Sequence, residues 1–394
     1  MKEDKRGSLQ TTGVEICMVT SIHPDFDTRI MKEVNSLAGY GYQIDLICPW
    51  ECRGSDVPGV NFLTFERAKK RLTRFMNYLR IGKYLLKKRY VLYHIHDIDI
   101  LPLFCVVKLL SKKPVIYDIH ENYPDEMLVR YWVPKYMRWV LYFVVKYVER
   151  ICAFYIRNLV LVVPSQEAEF GSQKHNKVMV RNYASKILLE ARLDNYETRQ
   201  DAVIFTGVQS ISNGSMLFLE IAKAVINRYS HVKMLCVDWF DGDNALREQM
   251  HQYVRKFAIQ QNISFLPPVK GSEIMSYLNM AKIGISPNLR VDKQIKALPT
   301  KLFEYMAAGL PIVTSNLPYQ TEIISKANCG LLANPDVTED FAEKISCLIS
   351  DPSKAKEMGE NGMRAFLEIY CWENEVTKLK ELYESLLGKV NQYG

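Results

Sequence analysis

Apolar residues along this chain fall mostly into short unbroken runs, separated by longer amphipathic or polar stretches. Such runs predict strands buried on both faces, because a half-exposed strand would alternate apolar and polar positions. In the first half the pattern predicts strands at Glu15–Ser21, Gln43–Cys48, Val60–Phe65, Val91–His96, Pro114–His120, Leu159–Ser165 and Lys177–Asn182. A second set follows at Ala202–Gly207, Val232–Asp238, Ile263–Pro268, Ile283–Asn288 and Pro311–Asn316. Helical segments alternate with them, for example Met216–Tyr229 and Asn244–Ile259, and that order predicts parallel sheets covered by helices. Ala184–Ala202 has weak periodicity and reads as a link, and three helical segments from Thr338 close the chain. The expected fold class is α/β, with two doubly wound, Rossmann-like domains.

The sharpest local signal is LPTKLFEYMAAGLPIV, Leu298 to Val313. Pro299 ends the preceding segment, Thr300 is placed to cap a short helix, and Gly309 with Pro311 stop it after Ala308. The first turn of such a helix has free backbone N–H groups and suits an anion. Lys301 stands at that start and Glu304 one turn on, a pairing that suits phosphates at the tip and hydroxyls beside the carboxylate. The turn GVQSISNG, Gly207 to Gly214, is a second, weaker candidate for cradling a phosphate through backbone N–H groups.

In parallel sheets ligands collect at the carboxyl ends of strands. There the first half carries His23, Asp27 and Arg29 after its first strand, His96 and Asp97 after VLYHIH, and Asp118, His120 and Glu121 around the end of PVIYDIH. Histidines with acidic neighbours at several strand ends of one sheet point to a site that bonds hydroxyls or holds a general base. No GxGxxG follows the first strand, which argues against a dinucleotide-dependent enzyme. Two acidic triplets, Asp97-Ile98-Asp99 and Asp241-Gly242-Asp243, have the form of a metal and diphosphate motif but lack a neighbouring third ligand, so no metal is expected.

Composition narrows the class. With 394 residues, 48% hydrophobic and 24% charged, the chain is that of an ordinary globular protein of two domains. Its nine cysteines are scattered, with no zinc spacing, and the N-terminus lacks an apolar core, so a cytoplasmic protein is expected. Residues 1–190 hold 29 Lys/Arg against 20 Asp/Glu, whereas the rest holds 22 against 24, so an anionic partner is expected to face the first half. Residues 66–90 carry ten Lys/Arg and one acid, and 132–158 mix aromatics with Lys and Arg. Both are candidates for a membrane surface, with a solvated or ordinary buried helix as the alternative. No recognition motif accompanies the charge, and nucleic acid is not expected.

The 298–313 stretch, taken with HPDFDTRI (23–30), HIHDID (94–99) and YDIHENYP (117–124), resembles glycosyltransferase family 4, in particular its bacterial envelope-polysaccharide branch. The resemblance covers almost the whole chain. It implies a GT-B fold, two Rossmann-like domains facing a central cleft, at 1–190 and 200–372, with a last helix from about residue 373 crossing back to complete the first. It implies a retaining, metal-independent transferase that takes a nucleotide sugar, UDP- or GDP-linked, on the second domain and a glycan or lipid-linked acceptor on the first, with no other cofactor. Glu304 then matches the ribose-binding glutamate, Lys301 and Thr300 face the diphosphate, and His120 matches the active-site histidine near the donor sugar, with Asp118 and Glu121 beside it. Gly207, Asn288 and Lys296 join the donor side; His23, Asp27, Arg29, His96 and Asp97 fall on the acceptor side. This chain departs from the common pattern at three places. Lys296 replaces the first acid of the usual glutamate pair, the basic pair is missing from GVQSISNG, and SIHPDFDTRI replaces a glycine-rich loop. An epimerase of the same fold and a non-catalytic membrane scaffold are the alternatives.

Overall fold

The computed structural model describes residues 13–23, 27–49, 57–66, 75–129, 133–171, 175–194, 196–240, 243–269 and 271–393. Three parts of the sequence motifs, 24–26 of HPDFDTRI, 67–74 of the basic segment and 241–242 of the second acidic triplet, lie outside the described residues, as does Trp132. The chain divides into two compact units, one formed by Met1–Asn182 with Glu375–Gly394, the other by Tyr183–Asn374.

The first unit holds strands β1 (Glu15–Val19), β2 (Gln43–Pro49), β3 (Val60–Phe65), β4 (Leu92–Ile95), β5 (Val115–Ile119), β6 (Asn158–Leu161) and β7 (Asn176–Met179). Its helices are α1 (Thr28–Gly39), α2 (Phe75–Leu85), α3 (Leu101–Ser111), α4 (Tyr123–Val129), α5 (Arg138–Ile156) and α6 (Pro164–Glu169). The second unit holds β8 (Ala202–Phe205), β9 (Lys233–Val237), β10 (Ile263–Leu266), β11 (Ile283–Ser286), β12 (Ile312–Ser315) and β13 (Gly330–Ala333). Between and after them run α7 (Ser215–Arg228), α8 (Asn244–Lys256), α9 (Ile274–Leu278), α10 (Asp292–Ile295), α11 (Lys301–Ala308), α12 (Pro318–Ala327), α13 (Thr338–Ser350) and α14 (Pro352–Glu368). The last helix, α15 (Trp372–Tyr393), begins in the second unit and continues in the first.

Both sheets are parallel throughout, in the orders β3-β2-β1-β4-β5-β6-β7 and β10-β9-β8-β11-β12-β13. In each, the strand order reverses between neighbours far apart in sequence, β1 beside β4 and β8 beside β11. Connections leave such a point in opposite directions and open a crevice at the carboxyl ends, where ligands bind. The apolar runs have the expected cause. Successive β-strand side chains point to opposite faces, and in the second unit both faces are packed. Val203, Phe205, Cys236 and Val313 enter one core with Phe218 and Phe341, while Ala202, Ile204, Leu235 and Ile312 enter another with Phe303, Met306 and Phe366. In the first unit Val19, Ile95 and Ile119 share a core with Phe104 and Ile156.

Two expectations need correction. The stretch 184–202 is not a free link: it contains turns of 3-10 helix at Lys186–Ala191 and Tyr196–Thr198 and is fastened to the second unit. Arg199 Nη2 donates to the Ala308 carbonyl at 3.1 Å, Asn279 Nδ2 to Ala191 at 2.8 Å, and Leu188 is buried. Strand β13 was not expected, since Gly-Leu-Leu-Ala has no β-branched residue. Gly330 is required there, because a Cβ would sit 2.0 Å from the Ile312 carbonyl oxygen. The described cysteines are free, and all but Cys105 and Cys347 are buried.

Candidate functional site

Polar residues gather at the carboxyl ends of both sheets, close to each reversal of strand order. In the first unit they form a dense ionic network. The turn after β1 is tied down by Asp97, whose Oδ2 accepts from Thr20 Oγ1 at 2.6 Å and from the Ser21 N–H at 2.7 Å. His23 lies between two carboxylates, 3.1 Å from Asp27 Oδ2 and 3.3 Å from Asp97 Oδ1. Burial opposes charge on this imidazole, but the two aspartates outweigh it and push His23 up to about 10. Asp27 also caps α1, accepting from the Arg29 and Ile30 N–H groups.

Beneath this turn, Arg29 Nη2 donates to both oxygens of Asp118, at 2.8 and 3.1 Å, and its Nε lies 3.1 Å from Glu33. All three are buried. The guanidinium holds Asp118 well below the usual carboxylate range against the cost of burial, whereas burial and the Asp118 charge push Glu33 well above it. His94 Nδ1 meets the Tyr383 hydroxyl of α15 at 2.7 Å. Burial drives His94 down to about 4, and it drives His96 well below the usual imidazole value, assisted by His94 and His120. His96 Nδ1 lies 3.0 Å from His120 Nε2. Only one of these two nitrogens can donate, so the tautomer of the partly exposed His120 is linked to that of the buried His96.

Glu33, His94, His96 and Asp118 offer potential ligand atoms within 4.8 Å of one another. The positive charge of this group is already supplied by Arg29, however, and a cation entering beside a buried guanidinium would be repelled. The donor set fits an ion-pair network better than a metal centre.

The sequence-predicted residues thus separate. His23, Asp27, His96, Asp97 and His120 come together, as do Arg29 and Asp118, but the last two face inward. Asp118, expected among catalytic groups, has both oxygens occupied by Arg29, and Arg29, expected on the acceptor side, is its buried partner. Glu121 is exposed. Glu33, His94 and Tyr383 were missed. They lie on a helix, a strand and the last helix, and no sequence spacing links them.

In the second unit the site is built around α11. Leu302, Phe303, Met306, Ala307 and Ala308 are buried, which fixes the helix on the sheet. Gly309 ends it in the left-handed conformation, φ 69°. Thr300 occupies the cap position, but its φ −57° and ψ −31° are already helical and its side chain makes no capping bond. The Tyr305 hydroxyl accepts from the Thr206 N–H at 3.0 Å and donates to the Ile285 carbonyl at 3.0 Å, joining α11 to the ends of β8 and β11. Gly284 makes room for this ring, since a Cβ there would lie 2.6 Å from it.

Lys301 is buried, and its Nζ lies 4.3 Å from the centre of the Phe205 ring. Among the described residues the ammonium has no hydrogen-bond partner, and burial pulls its pKa down to about 8 despite Glu304 nearby. It underlies Gly207, whose φ of 89° is a glycine conformation and whose missing Cβ would come 3.4 Å from Lys301 Cε. Half-buried Glu304 follows one turn along α11. Lys296 ends the short helix α10 and is half-buried.

Asn288 is placed differently from expectation. Its Oδ1 accepts from Ser286 Oγ at 2.6 Å, and its Nδ2 donates to Gln294 at 2.7 Å and Asn213 at 3.4 Å. Gln294 in turn donates to Asn213 at 2.8 Å, and Asn213 donates to the Val208 carbonyl at 2.7 Å. The loops after β8 and β11 are thereby locked together, and Asn288 shapes the crevice rather than offering a free amide. Gln294 and Asn213 were not expected. Gly214 completes the lock, with a Cβ position only 1.8 Å from the Pro287 carbonyl oxygen.

Comparison with known proteins agrees with this architecture. Residues 195–365 match the family model of glycosyl transferases group 1. Spore coat protein SA of Bacillus subtilis (strain 168) is 26% identical over 186 residues, which cover 46% of this chain and 48% of that protein. The chain spans under half the length of the first curated relatives it matches. In structure it resembles sucrose-phosphate synthase from Thermosynechococcus elongatus, with a TM-score of 0.75 at 15% identity over 95% of this chain and 100% of that one. It also resembles Anabaena HepE solved with UDP and glucose, with a TM-score of 0.74 at 12% identity over 94% and 100%. The chain has the GT-B fold. The resemblance to group 1 glycosyltransferases holds by sequence over residues 195–365, within the second unit, while the likeness of fold to the solved structures covers nearly the full chain.

Proposed function

We propose that this chain is a retaining glycosyltransferase that moves a sugar from a nucleotide diphosphate sugar to a hydroxyl of a glycan or lipid-linked acceptor in envelope glycan synthesis. One observation carries the reading. A buried ammonium, Lys301, stands without a hydrogen-bond partner at the N-terminus of α11, under a glycine turn, in the unit that matches the group 1 model. A buried unpaired charge is costly, and an anionic ligand would offset that cost. The diphosphate would rest against Lys301 and the first N–H groups of α11, and Glu304 would accept from the ribose hydroxyls.

In the transfer the bond between the anomeric carbon and the diphosphate oxygen breaks, and the acceptor oxygen bonds to that carbon on the same face. The acceptor proton passes to the departing phosphate oxygen. Lys301 would stabilise the charge that develops there, and this role needs no metal. His120, with its tautomer tied to His96, would bond a sugar hydroxyl. The missing basic pair after β8 makes Lys301 the principal cation of the grip.

Isothermal titration with UDP and GDP, and with their sugar conjugates, tests the assignment. One nucleotide should bind, and Glu304→Ala and Lys301→Met should each weaken it at least tenfold. Unchanged affinity in both variants sinks the donor site. A sugar nucleotide altered without any acceptor would point to the epimerase instead.

A further inference from the structure

The least ordinary surface of the first unit is the outer side of α5. Trp139, Phe143, Tyr147, Ile151 and Tyr155 recur every four residues along it and are all exposed, Trp139 by 61% and Ile151 by 68%. Val140, Val144 and Val148 form an exposed row beside them. Rings in the first row touch one another, with Phe143 and Tyr147 stacked at 6.4 Å. Spacing by four on a 19-residue helix makes this one continuous stripe rather than scattered residues.

The stripe continues onto α3, where Val106, Leu109 and Leu110 are exposed. Lys108 joins the two helices, donating to the carbonyls of Tyr155 at 2.7 Å and Ile156 at 2.9 Å. At their shared end lies an open cleft of about 410 Å³, lined by Lys108, Leu109, Lys112, Phe154, Tyr155 and Arg157. Its lining contains three cations and no acid. Lys112 and Arg157 are the residues that end α3 and α5, and both have left-handed backbones, φ 56° and 69°. Burial and the nearby Arg157 charge lower the pKa of Lys108, in keeping with positive charge gathered without an anion.

We propose that the face formed by α3 and the outer side of α5 docks on an anionic phospholipid surface, with the apolar stripe entering the interface and the cleft receiving a headgroup phosphate. Charge complementarity selects this occupant over a second copy of the chain, because two such faces would bring like charges together. Among the described residues no helix is long and apolar enough to cross a membrane, so this docking is interfacial.

Co-sedimentation of the full chain with vesicles tests it. The protein should pellet with phosphatidylcholine vesicles containing about 30% phosphatidylglycerol at low salt, and much less with pure phosphatidylcholine. Lys112→Glu with Arg157→Glu, and separately Phe143→Ser with Ile151→Ser, should each weaken this binding at least about tenfold with little change in thermal stability. Three results overturn the proposal. One is a charge-reversed protein that binds as tightly as the parent, which would leave the cations a helix-capping role. Another is equal binding to neutral vesicles. The third is a concentration-dependent dimer, broken by the serine variant, with no vesicle binding. Vesicle binding is read without donor or acceptor, so its failure leaves the transfer reaction untouched.

Discussion

The carboxyl ends of the two sheets solve opposite electrostatic problems. At the carboxyl end of the first sheet the buried charges, among the described residues, are paired. Arg29 is matched by Asp118 and His23 by Asp27 and Asp97, while burial shifts Glu33 and His96 toward their neutral forms. In the second unit the polar groups around the crevice are mostly neutral amides and hydroxyls bonded to one another, and Lys301 is left without a hydrogen bond. A balanced network holds shape and proton positions, whereas an unbalanced one calls for a counter-charge. This contrast is what supports the proposal that the second unit grips an anion and that the first bonds hydroxyls.

The contrast breaks most visibly at the two buried cations. Arg29→Met strands the Asp118 carboxylate and should cost the first unit about 3–5 kcal/mol, read as a lower unfolding midpoint. Lys301→Met removes a buried charge that makes no hydrogen bond and should leave the midpoint unchanged or raise it, while nucleotide affinity falls. If both variants lose stability alike, the contrast is false. A smaller effect is expected at the amide lock. Gln294→Ala removes bonds to Asn288 and Asn213 and should cost about 1–3 kcal/mol, again by unfolding. It should weaken nucleotide binding less than Lys301→Met does.

Two pH dependences sharpen the same contrast. Lys301 has a free-state pKa of about 8, and an anion would raise it. Nucleotide affinity should therefore be flat below pH 8 and fall above it, and titrations above pH 8 in buffers of different ionisation enthalpy should show proton uptake on binding. A flat profile up to pH 10 would remove Lys301 from the grip. His23 is raised from 6.5 to about 10, so its stabilising contribution is complete below pH 6.5 and is lost as pH climbs toward 10. Thermal midpoints of His23→Asn should depend less on pH across that window than those of the parent, and this is the smallest effect expected.

Much of the fold is legible in the chain because packing on both faces of each sheet leaves unbroken apolar runs. The short strand β13 escapes for want of β-branched residues. The α11 tip is legible because Pro299 and Gly309 mark its ends, although Thr300, already helical, does not cap as its type suggests. The ionic network of the first unit is only half legible. Strand-end histidines can be seen in one dimension, but the pairing of Arg29 with Asp118, 89 positions apart, depends on which strands become neighbours. Amide locks leave no periodic trace, so Asn288 looked like a ligand group and Gln294 went unmarked.

The Tyr305 hydroxyl has a consequence for the thermodynamics of binding. Bonded to the ends of the two neighbouring strands at the sheet's reversal of order, it ties α11 to the β-scaffold at Thr206 and Ile285, one residue beyond Glu304. The groups proposed to grip a nucleotide are then preformed on a rigid base, and a ligand arriving there orders little of the chain. Little of its binding energy would be spent on loop entropy, and most would appear as affinity.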